Sequence, residues 1–258
     1  MLRKLKTIIS SKRRVDFMIC GTQKGGTTAL HAYFSEHPEI CMANPKEVHF
    51  FDNEDHFANG KPNYSRYHAF FQPKRSHKVL GEASPIYMYW NEAPRRIFEY
   101  NPKTKIIVVL RNPIERAYSH WNMERSRHAD RLPFAEAIRT EAKRCREALP
   151  LQHRIFSYID RGHYINQLRR IWTYFPRDRV LVLKQEELRC NPAETLNQAS
   201  TFLGITPFSN VEPKSVHTLP YNATMAAADR DFLRTTFAAG LKELEQELQW
   251  DCSDWLKP

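Results

Sequence analysis

The stretch of sequence that decides the fold is "MICGTQKGGTTAL", from Met18 to Leu30. Its first residues complete the β-rich apolar run from Val15 to Cys20, which predicts a buried strand that ends at Gly21. The residues from Gly26 to about Glu36 are compatible with a helix, closed by His37-Pro38. A strand, a glycine-rich loop and a helix in this order predict a phosphate cradle, because loop amides and the helix N-terminus both favour an anion.

The position of the lysine separates this loop from the loop of an ATPase. A Walker A loop ends in Gly-Lys-Ser/Thr, whereas here Lys24 precedes Gly25 and Gly26, and Thr27 and Thr28 follow. The glycines allow close backbone approach to a ligand, and the threonine hydroxyls can donate hydrogen bonds to phosphate oxygens. We expect Lys24 to project over the terminal group of the ligand.

A second unit repeats the order of strand, loop and helix. The run "KIIVVL" (105–110) predicts a buried strand, and Arg111-Asn112-Pro113 leads into a helix over 114–127. Arg111 stands where an ATPase would carry a magnesium-binding aspartate, so a second anion is expected at this strand end. Two anion sites indicate a nucleotide phosphorylated at two positions.

The remaining pattern predicts one α/β domain. A third strand is expected at 179–184, followed by a helix with Asn191 as N-cap, Pro192 at its first position and Gly204 as terminator. Helices over 134–148, 163–175 and 226–248 would supply further cover. Alternating strands and helices predict a central parallel sheet flanked by helices, with residues 1–14 as a basic tail and 15–258 as the domain.

Composition narrows the classes of partner. The net charge of +10 favours anionic partners, but the basic residues are dispersed and no nucleic-acid motif accompanies them, so no nucleic acid is expected. No apolar run approaches the roughly 18 residues of a membrane span. The basic tail is either solvated or makes a weak contact with anionic lipid. Five cysteines without a C-x-x-C pair favour a reducing, cytoplasmic location.

Three segments in order carry a family resemblance. "GTQKGGTTAL", "PKEVHFFD" and "RNPIERAYSHW" span residues 21–121 and resemble the sulfotransferases that use 3′-phosphoadenosine 5′-phosphosulfate (PAPS). The likeness is to the heparan-sulfate-type carbohydrate branch and its bacterial relatives, and the segment 164–188 with "FLG" extends it to residue 204. The resemblance implies sulfuryl transfer from PAPS, with adenosine 3′,5′-bisphosphate as product and no metal required.

The resemblance also implies roles for the cofactor-side residues. Lys24 is expected on the oxygen that bridges phosphorus and sulfur, and Arg111 and Ser119 match the site of the 3′-phosphate. Lys214, with His217, falls in the region that closes over this phosphate in the heparan-sulfate enzymes. The loop that binds the phosphosulfate comprises Gly21, Thr22, Gln23, Lys24, Gly25, Gly26, Thr27 and Thr28.

The segment 44–52 supplies the expected general base. In the carbohydrate branch the matching glutamate takes the proton of the acceptor, which assigns this role to Glu47, with His49 and Asp52 in support. A base role for His49 itself, as in the small-molecule sulfotransferases, is the alternative. If the segment is extended, Glu47 and His49 lie on one face.

The acceptor side departs from the family pattern. "GEASPIYM" (81–88) matches a segment beside the substrate cleft, and Glu82, Ser84 and Tyr87 are expected to bind substrate. The heparan-sulfate enzymes carry a lysine where this chain has Ala83, so the acceptor stays open between a saccharide and a small metabolite, and between a hydroxyl and an amine. A P-loop kinase is the alternative function, although the Gly-Lys-Ser/Thr ending and the magnesium carboxylate that it needs are missing. The oligomeric state is open.

Overall fold

The computed structural model describes residues 13–60, 62–209, 211–214 and 224–257. Within them, parallel strands form one central sheet in the order β2-β3-β1-β4-β5. The strands are β1 (Phe17–Gly21), β2 (Ile40–Met42), β3 (Val79–Ala83), β4 (Lys105–Leu110) and β5 (Val180–Lys184).

Helices connect the strands and cover both faces of the sheet. They are α1 (Thr27–Glu36), α2 (Tyr64–His68), α3 (Ala93–Tyr100), α4 (Pro113–Ser126), α5 (Phe134–Arg146), α6 (Tyr164–Tyr174), α7 (Gln185–Cys190), α8 (Pro192–Leu203) and α9 (Ala227–Leu248). Short 3₁₀ turns lie at Glu54–His56, Asp160–Gly162, Arg177–Arg179 and Ser253–Leu256.

The α/β prediction is confirmed, and so are the three strands and the helices expected from the sequence. Gly204, with φ of 74°, ends α8 in the left-handed conformation expected of a glycine C-cap. The sequence did not indicate β2 and β3. The first has three residues and the second, "VLGEA", contains a glycine and a glutamate, so neither resembles the β-branched runs that mark buried strands.

Alternation along the central strands builds a hydrophobic core on each face. Phe17 and Ile19 of β1 pack in the core that includes α1 and α8, whereas Met18 and Cys20 pack in the core on the opposite face. Each fully buried side chain of this size contributes about 1.5–3 kcal/mol relative to an exposed one.

The pairing of β1 with β4 positions the functional end of the sheet. From β1 the chain crosses to the edge strand β2, returns to β3 beside β1, and then continues through β4 and β5 on the other side. The crevice beyond the carboxyl ends of β1 and β4 is therefore the switch point at which open α/β sheets bind ligands. The amide of Thr22 donates to the carbonyl of Val109 (2.9 Å), which joins the loop after β1 to β4.

The described part of the N-terminal segment contacts the domain. Arg13 donates to the carbonyl of His77 (2.8 Å) and Arg14 to that of Tyr100 (2.7 Å), so these two residues of the expected tail lie against the fold. The rest of the tail, residues 1–12, lies outside the described residues. Among the helices of the described ranges, none has the length and apolar character needed to cross a bilayer.

Gly81 tests the packing of β3 on β1. A Cβ at Gly81 would lie 2.1 Å from Cζ of Phe17, so we expect Gly81→Ala to destabilise the protein by about 1–3 kcal/mol through overpacking. The midpoint of urea unfolding measures this. Gly240 of α9 is the matched control, since a Cβ there meets nothing within 4 Å and Gly240→Ala should stabilise by about 1 kcal/mol. Equal stabilities of the two variants would contradict the packing argument.

Candidate active site

Residues 21–28, which we call the anion loop, follow β1 in a tight turn. The amide of Gly25 donates to the carbonyl of Thr22 (2.9 Å), and Lys24 has a positive φ of 66°. A Cβ at Gly25 would lie 2.6 Å from the carbonyl oxygen of Val109, so this position requires glycine. The close approach that glycine permits here is to the backbone of β4, and the approach to a ligand stays a prediction.

The N-terminus of α1 completes the anion loop. Gly26, with φ of 94°, is the N-cap of α1 and provides no side-chain hydrogen bond to the first turn. Thr27 is buried at the first helical position and Thr28 is half-buried at the second. The free amides of this turn and the helix dipole therefore favour an anion at the loop.

Lys24 and Arg111 bring two cations to the same crevice. Nη1 of Arg111 donates to the carbonyl of Lys24 (3.3 Å), so the residue after β4 contacts the loop after β1. Across the described part of the chain, no carboxylate forms an ion pair with either side chain. Burial, and then the nearby Arg111 and Arg127, lower the pKa of Lys24. Two positive charges in contact with no carboxylate indicate an anionic ligand.

The neighbours of Arg111 differ in role. Tyr164 is buried, and its hydroxyl donates to the carbonyl of Arg111 (2.7 Å), so it supports the strand end. Arg116 is fully buried and donates to the carbonyl of Tyr158. Ser119 lies 5% exposed on α4, and its role at a phosphate stays a prediction.

A row of alternating charges, which we call the ionic chain, connects Glu47, His49, Asp52 and Arg154. Nε2 of His49 lies 3.7 Å from Oε2 of Glu47, and Nδ1 lies 3.0 Å from Oδ2 of Asp52. Arg154 donates to the carboxylate and to the backbone carbonyl of Asp52, and its guanidinium stacks over Trp90. Asp52 is fully buried, so it orients His49 and has no surface to offer a substrate.

The charge states of this chain follow from its contacts. The hydrogen bond to Asp52, and then the nearby carboxylate of Glu47, raise the pKa of His49 from 6.5 to about 9. Burial of Glu47 alone would raise its pKa, but the nearby His49 and the charge of Lys46 outweigh burial, and the pKa falls from 4.5 to about 2. At neutral pH, His49 is an imidazolium between two carboxylates.

The backbone of this segment differs from the expectation. Glu47 and His49 have φ of 61° and 54°, so both are left-handed and the segment is not extended. The amide of Glu47 donates to the carbonyl of Ala83 (3.0 Å), which holds the segment against the end of β3. The two side chains still meet, but through this strained turn and not through strand alternation.

A cavity of about 370 Å³ joins the anion loop to the ionic chain. Its wall combines three arginines, two glutamates, one histidine and apolar side chains. The lining residues are Gln23, Glu47, His49, Pro85, Ile86, Glu124, Arg127, Arg154, Ile155 and Arg161.

Arg161 and Arg154 are site residues that the sequence did not indicate. Arg161 is 1% exposed, and its Nη1 donates to Oε1 of Gln23 (2.6 Å) while Nε donates to Oγ of Ser157 (2.8 Å). Burial lowers its pKa to about 10, so it remains charged. Arg161 contacts Gln23 and Arg154 contacts Asp52 from far along the chain, and both arginines lie in a segment without periodicity. The "RGHY" sequence before α6 was the nearest available signal.

Glu82, Ser84 and Tyr87, which the sequence predicts to bind substrate, lie in the interior of the described structure. All three are fully buried, and the carboxylate of Glu82 accepts hydrogen bonds from Ser84 (2.6 Å), Tyr87 (2.7 Å) and Tyr67 (2.5 Å). Tyr87 in turn accepts the amide of Phe50 (2.9 Å). The three residues lie beneath the 44–52 segment. There, hydrogen bonds from the protein satisfy the buried carboxylate of Glu82.

Lys214, which the resemblance predicts to contact the nucleotide, pairs with the far end of α1 in the described structure. Its Nζ pairs with Oε1 of Glu36 (2.6 Å), and its amide donates to the hydroxyl of Tyr33 (2.9 Å). Glu36 is the last residue of α1, about 14 Å along the helix from the anion loop at 1.5 Å per residue. His217, named with it, lies outside the described residues.

The sequence of this chain is similar to those of two heparan sulfate sulfotransferases. The chain is 36% identical to the bifunctional heparan sulfate N-deacetylase/N-sulfotransferase 2 of Bos taurus over 219 residues, which cover 80% of this chain and 24% of the relative. It is 27% identical to the heparan sulfate glucosamine 3-O-sulfotransferase 5 of Mus musculus over 210 residues, 80% of this chain and 57% of the relative. The chain thus spans about a quarter of the first of these relatives.

A solved structure shares the whole fold. The sulfotransferase from Alicyclobacillus acidocaldarius superposes with a TM-score of 0.81 at 27% identity, over 95% of this chain and 100% of that one. The fold and site therefore define an α/β protein of the class that binds phosphate groups in a strand–loop–helix cradle. The family model for the sulfotransferase domain matches residues 14–226, and the chain belongs to this family.

The ionic chain predicts the titration of His49. Because its folded pKa of about 9 lies above the ordinary 6.5, its stabilising contribution is complete below pH 6.5 and is lost as the pH rises through 9. We expect ¹⁵N-resolved NMR of the imidazole to give a pKa near 9, and Asp52→Asn to move it toward 6.5. An imidazole that titrates near 6.5 in the unsubstituted protein would contradict the ionic chain.

Proposed function

We propose that this protein transfers a sulfuryl group from PAPS to a hydroxyl or amine of a saccharide acceptor and releases adenosine 3′,5′-bisphosphate. One observation carries the proposal. Lys24 and Arg111, two cations without a carboxylate partner in the described part of the chain, meet at the ends of adjacent strands beside a cavity that Glu47 lines. The family match does not favour the kinase alternative.

The anion loop suits the phosphosulfate of PAPS. Its free amides and the hydroxyls of Thr27 and Thr28 would hold the 5′-phosphate oxygens, as expected from the sequence. Arg111, with Ser119 two helical turns further on, would hold the 3′-phosphate, for which a guanidinium fork is well matched. PAPS supplies the activated sulfur–oxygen bond, so we propose that no metal takes part.

The transfer is a displacement at sulfur. The acceptor oxygen or nitrogen attacks sulfur, the bond from sulfur to the bridging oxygen breaks, and the proton of the acceptor passes to Glu47. The leaving bisphosphate gains one negative charge on the former bridging oxygen. Lys24 stabilises that charge, and because the charge develops during the reaction, this lowers the barrier more than it strengthens binding.

The ionic chain supports Glu47 as the base. His49 is protonated at neutral pH and has no free lone pair to accept a proton, which disfavours the alternative. Glu47 is a carboxylate over the same range and lines the cavity. We assign to His49 and Asp52, clamped by Arg154, the orientation of that carboxylate.

The buried network of Glu82 serves the same segment. Its partner Tyr87 binds the amide of Phe50, and Oγ of Ser84 accepts the amide of His49 at 3.4 Å. We propose that these residues position the 44–52 segment.

The cavity suits an anionic saccharide. Arg127, Arg154, Arg161 and protonated His49 exceed the charge of Glu47 and Glu124 on its wall. The relatives named for heparan sulfate give the same class of acceptor.

All five cysteines are free thiols, which supports the expected reducing, cytoplasmic location.

Three variants separate the proposed roles. Lys24→Ala should lower kcat about 10²–10³-fold, the usual cost of one donor at a developing oxyanion. Glu47→Gln should lower kcat about 10²–10⁴-fold, the range of general base catalysis. Arg111→Ala should weaken binding of adenosine 3′,5′-bisphosphate about 10–100-fold, through lost charged hydrogen bonds.

The measurements are sulfur-labelled PAPS turnover with heparan sulfate oligosaccharides and calorimetry with adenosine 3′,5′-bisphosphate. Matched controls are Lys78→Ala, which pairs with Glu39, and Arg177→Ala, which pairs with Glu247; the two residues precede the amino ends of β3 and β5, at the opposite end of the strands from the crevice. Neither control should change turnover by more than about threefold, since exposed pairs contribute little. Unchanged bisphosphate affinity in Arg111→Ala would remove the 3′-phosphate assignment.

A further inference from the structure

Glu124 is a buried carboxylate that the proposed mechanism does not use. It lies near the end of α4, is 4% exposed and lines the cavity beside Gln23 and Arg127. No described residue donates a hydrogen bond to its side-chain oxygens. A buried charge without hydrogen bonds is costly and is retained where a ligand completes it.

The other buried carboxylates show how unusual this is. Among the described residues, Glu82 accepts three hydroxyl donors and Glu141 accepts the amides of Ile159 and Asp160. The rest are also bonded: Asp52 to His49 and Arg154, Asp130 to Tyr158, and Asp229 to Arg139. Within this part of the chain, Glu124 is the exception.

Its two nearest polar neighbours do not neutralise it. Nε2 of His120 lies 3.6 Å from Oε1, but His120 is fully buried and burial lowers its pKa well below the ordinary value, so the ring is neutral. Nη1 of Arg127 lies 3.5 Å away on a side chain that is 61% exposed, where solvent screens the attraction. Burial accordingly raises the pKa of Glu124.

Glu124 lines the same cavity as Glu47, the proposed base. It shares the cavity wall with Glu47, and the charges of both carboxylates act on Lys24. The cavity therefore has two carboxylates near the lysine. Glu47 has His49 and Lys46 as partners, whereas Glu124 is free to take a donor from outside the protein.

We propose that Glu124 selects the acceptor by accepting a hydrogen bond from a donor group, a hydroxyl or an ammonium, next to the group that receives the sulfuryl. The inference rests on the proposed function, because it assigns a specificity-determining residue to the same reaction. Acceptors that lack such a neighbouring donor leave the carboxylate unpaired and bind less tightly.

Stability of the protein alone distinguishes this role from a structural one. Glu124→Met keeps the length of the side chain and removes the charge, so we expect its Tm to equal or exceed that of the unsubstituted protein. Glu115→Gln is the control on the same helix, since Glu115 pairs with Arg230 away from the cavity. A Tm lowered by about 3 °C or more in Glu124→Met, which corresponds to roughly 1 kcal/mol, would assign Glu124 to structure and overturn the inference.

Turnover of a defined acceptor tests the selection directly. The probe is de-N-sulfated heparan sulfate oligosaccharide, which offers hydroxyls and free amines. With it, Glu124→Met should raise the acceptor KM about tenfold or more, with a smaller change in kcat and no loss of affinity for adenosine 3′,5′-bisphosphate. An acceptor KM within about twofold of the unsubstituted protein, less than 0.5 kcal/mol, would overturn the inference.

Glu124→Gln identifies the donor. Its amide oxygen still accepts from a hydroxyl, so a KM close to that of the unsubstituted protein indicates a hydroxyl donor, whereas a rise equal to that of Glu124→Met indicates an ammonium. The N-acetylated oligosaccharide, which has no ammonium, should reproduce the rise in the second case only. Failure of the unsubstituted protein to bind adenosine 3′,5′-bisphosphate would overturn the proposed function. The Tm comparison would still decide whether Glu124 has a structural role.

Discussion

The parallel pairing of β1 with β4 is the constraint on which the site depends. Phe17 lies opposite Lys105 and Ile19 opposite Ile107, so the two strands end side by side at the switch point of the sheet. The anion loop leaves one strand and Arg111 leaves the other, and Arg111 contacts the backbone of Lys24. The two apolar cores hold this register, because a shift of one residue would exchange the faces of β1. Hydrophobic packing thus keeps two cations together that would otherwise repel each other.

Beside this pair of cations, the cavity has two carboxylates, Glu47 and Glu124, that differ in their support. The ionic chain from Glu47 to Arg154 holds a carboxylate in a fixed orientation, and the buried network of Glu82 supports the turn that carries it. Glu124 lies on the same cavity without such support. The contrast is physical: carboxylates that orient the machinery are saturated with donors, and the one proposed to meet the acceptor is not.

The sequence predicted the parts of the site that local pattern encodes. The glycine spacing of the anion loop, Lys24, and Arg111 after an apolar strand are read within a few residues of each other, and the strand–loop–helix order followed from periodicity. Arg154 and Arg161 could not be predicted in this way. Their contacts with Asp52 and Gln23 cross 102 and 138 residues, and only the tertiary fold brings them together. For Lys214 and Tyr87 the structure gives protein partners that local pattern does not encode: Lys214 pairs with Glu36, and Tyr87 donates to Glu82 beneath the site.

The central claim is that the paired cations are completed by a nucleotide phosphorylated at two positions. Calorimetry that compares adenosine 3′,5′-bisphosphate with adenosine 5′-monophosphate tests it most directly, because the two ligands differ only in the group assigned to Arg111. The account predicts that the bisphosphate binds roughly 10–100-fold more tightly, the contribution of one or two charged hydrogen bonds. Equal affinities for the two nucleotides would contradict it.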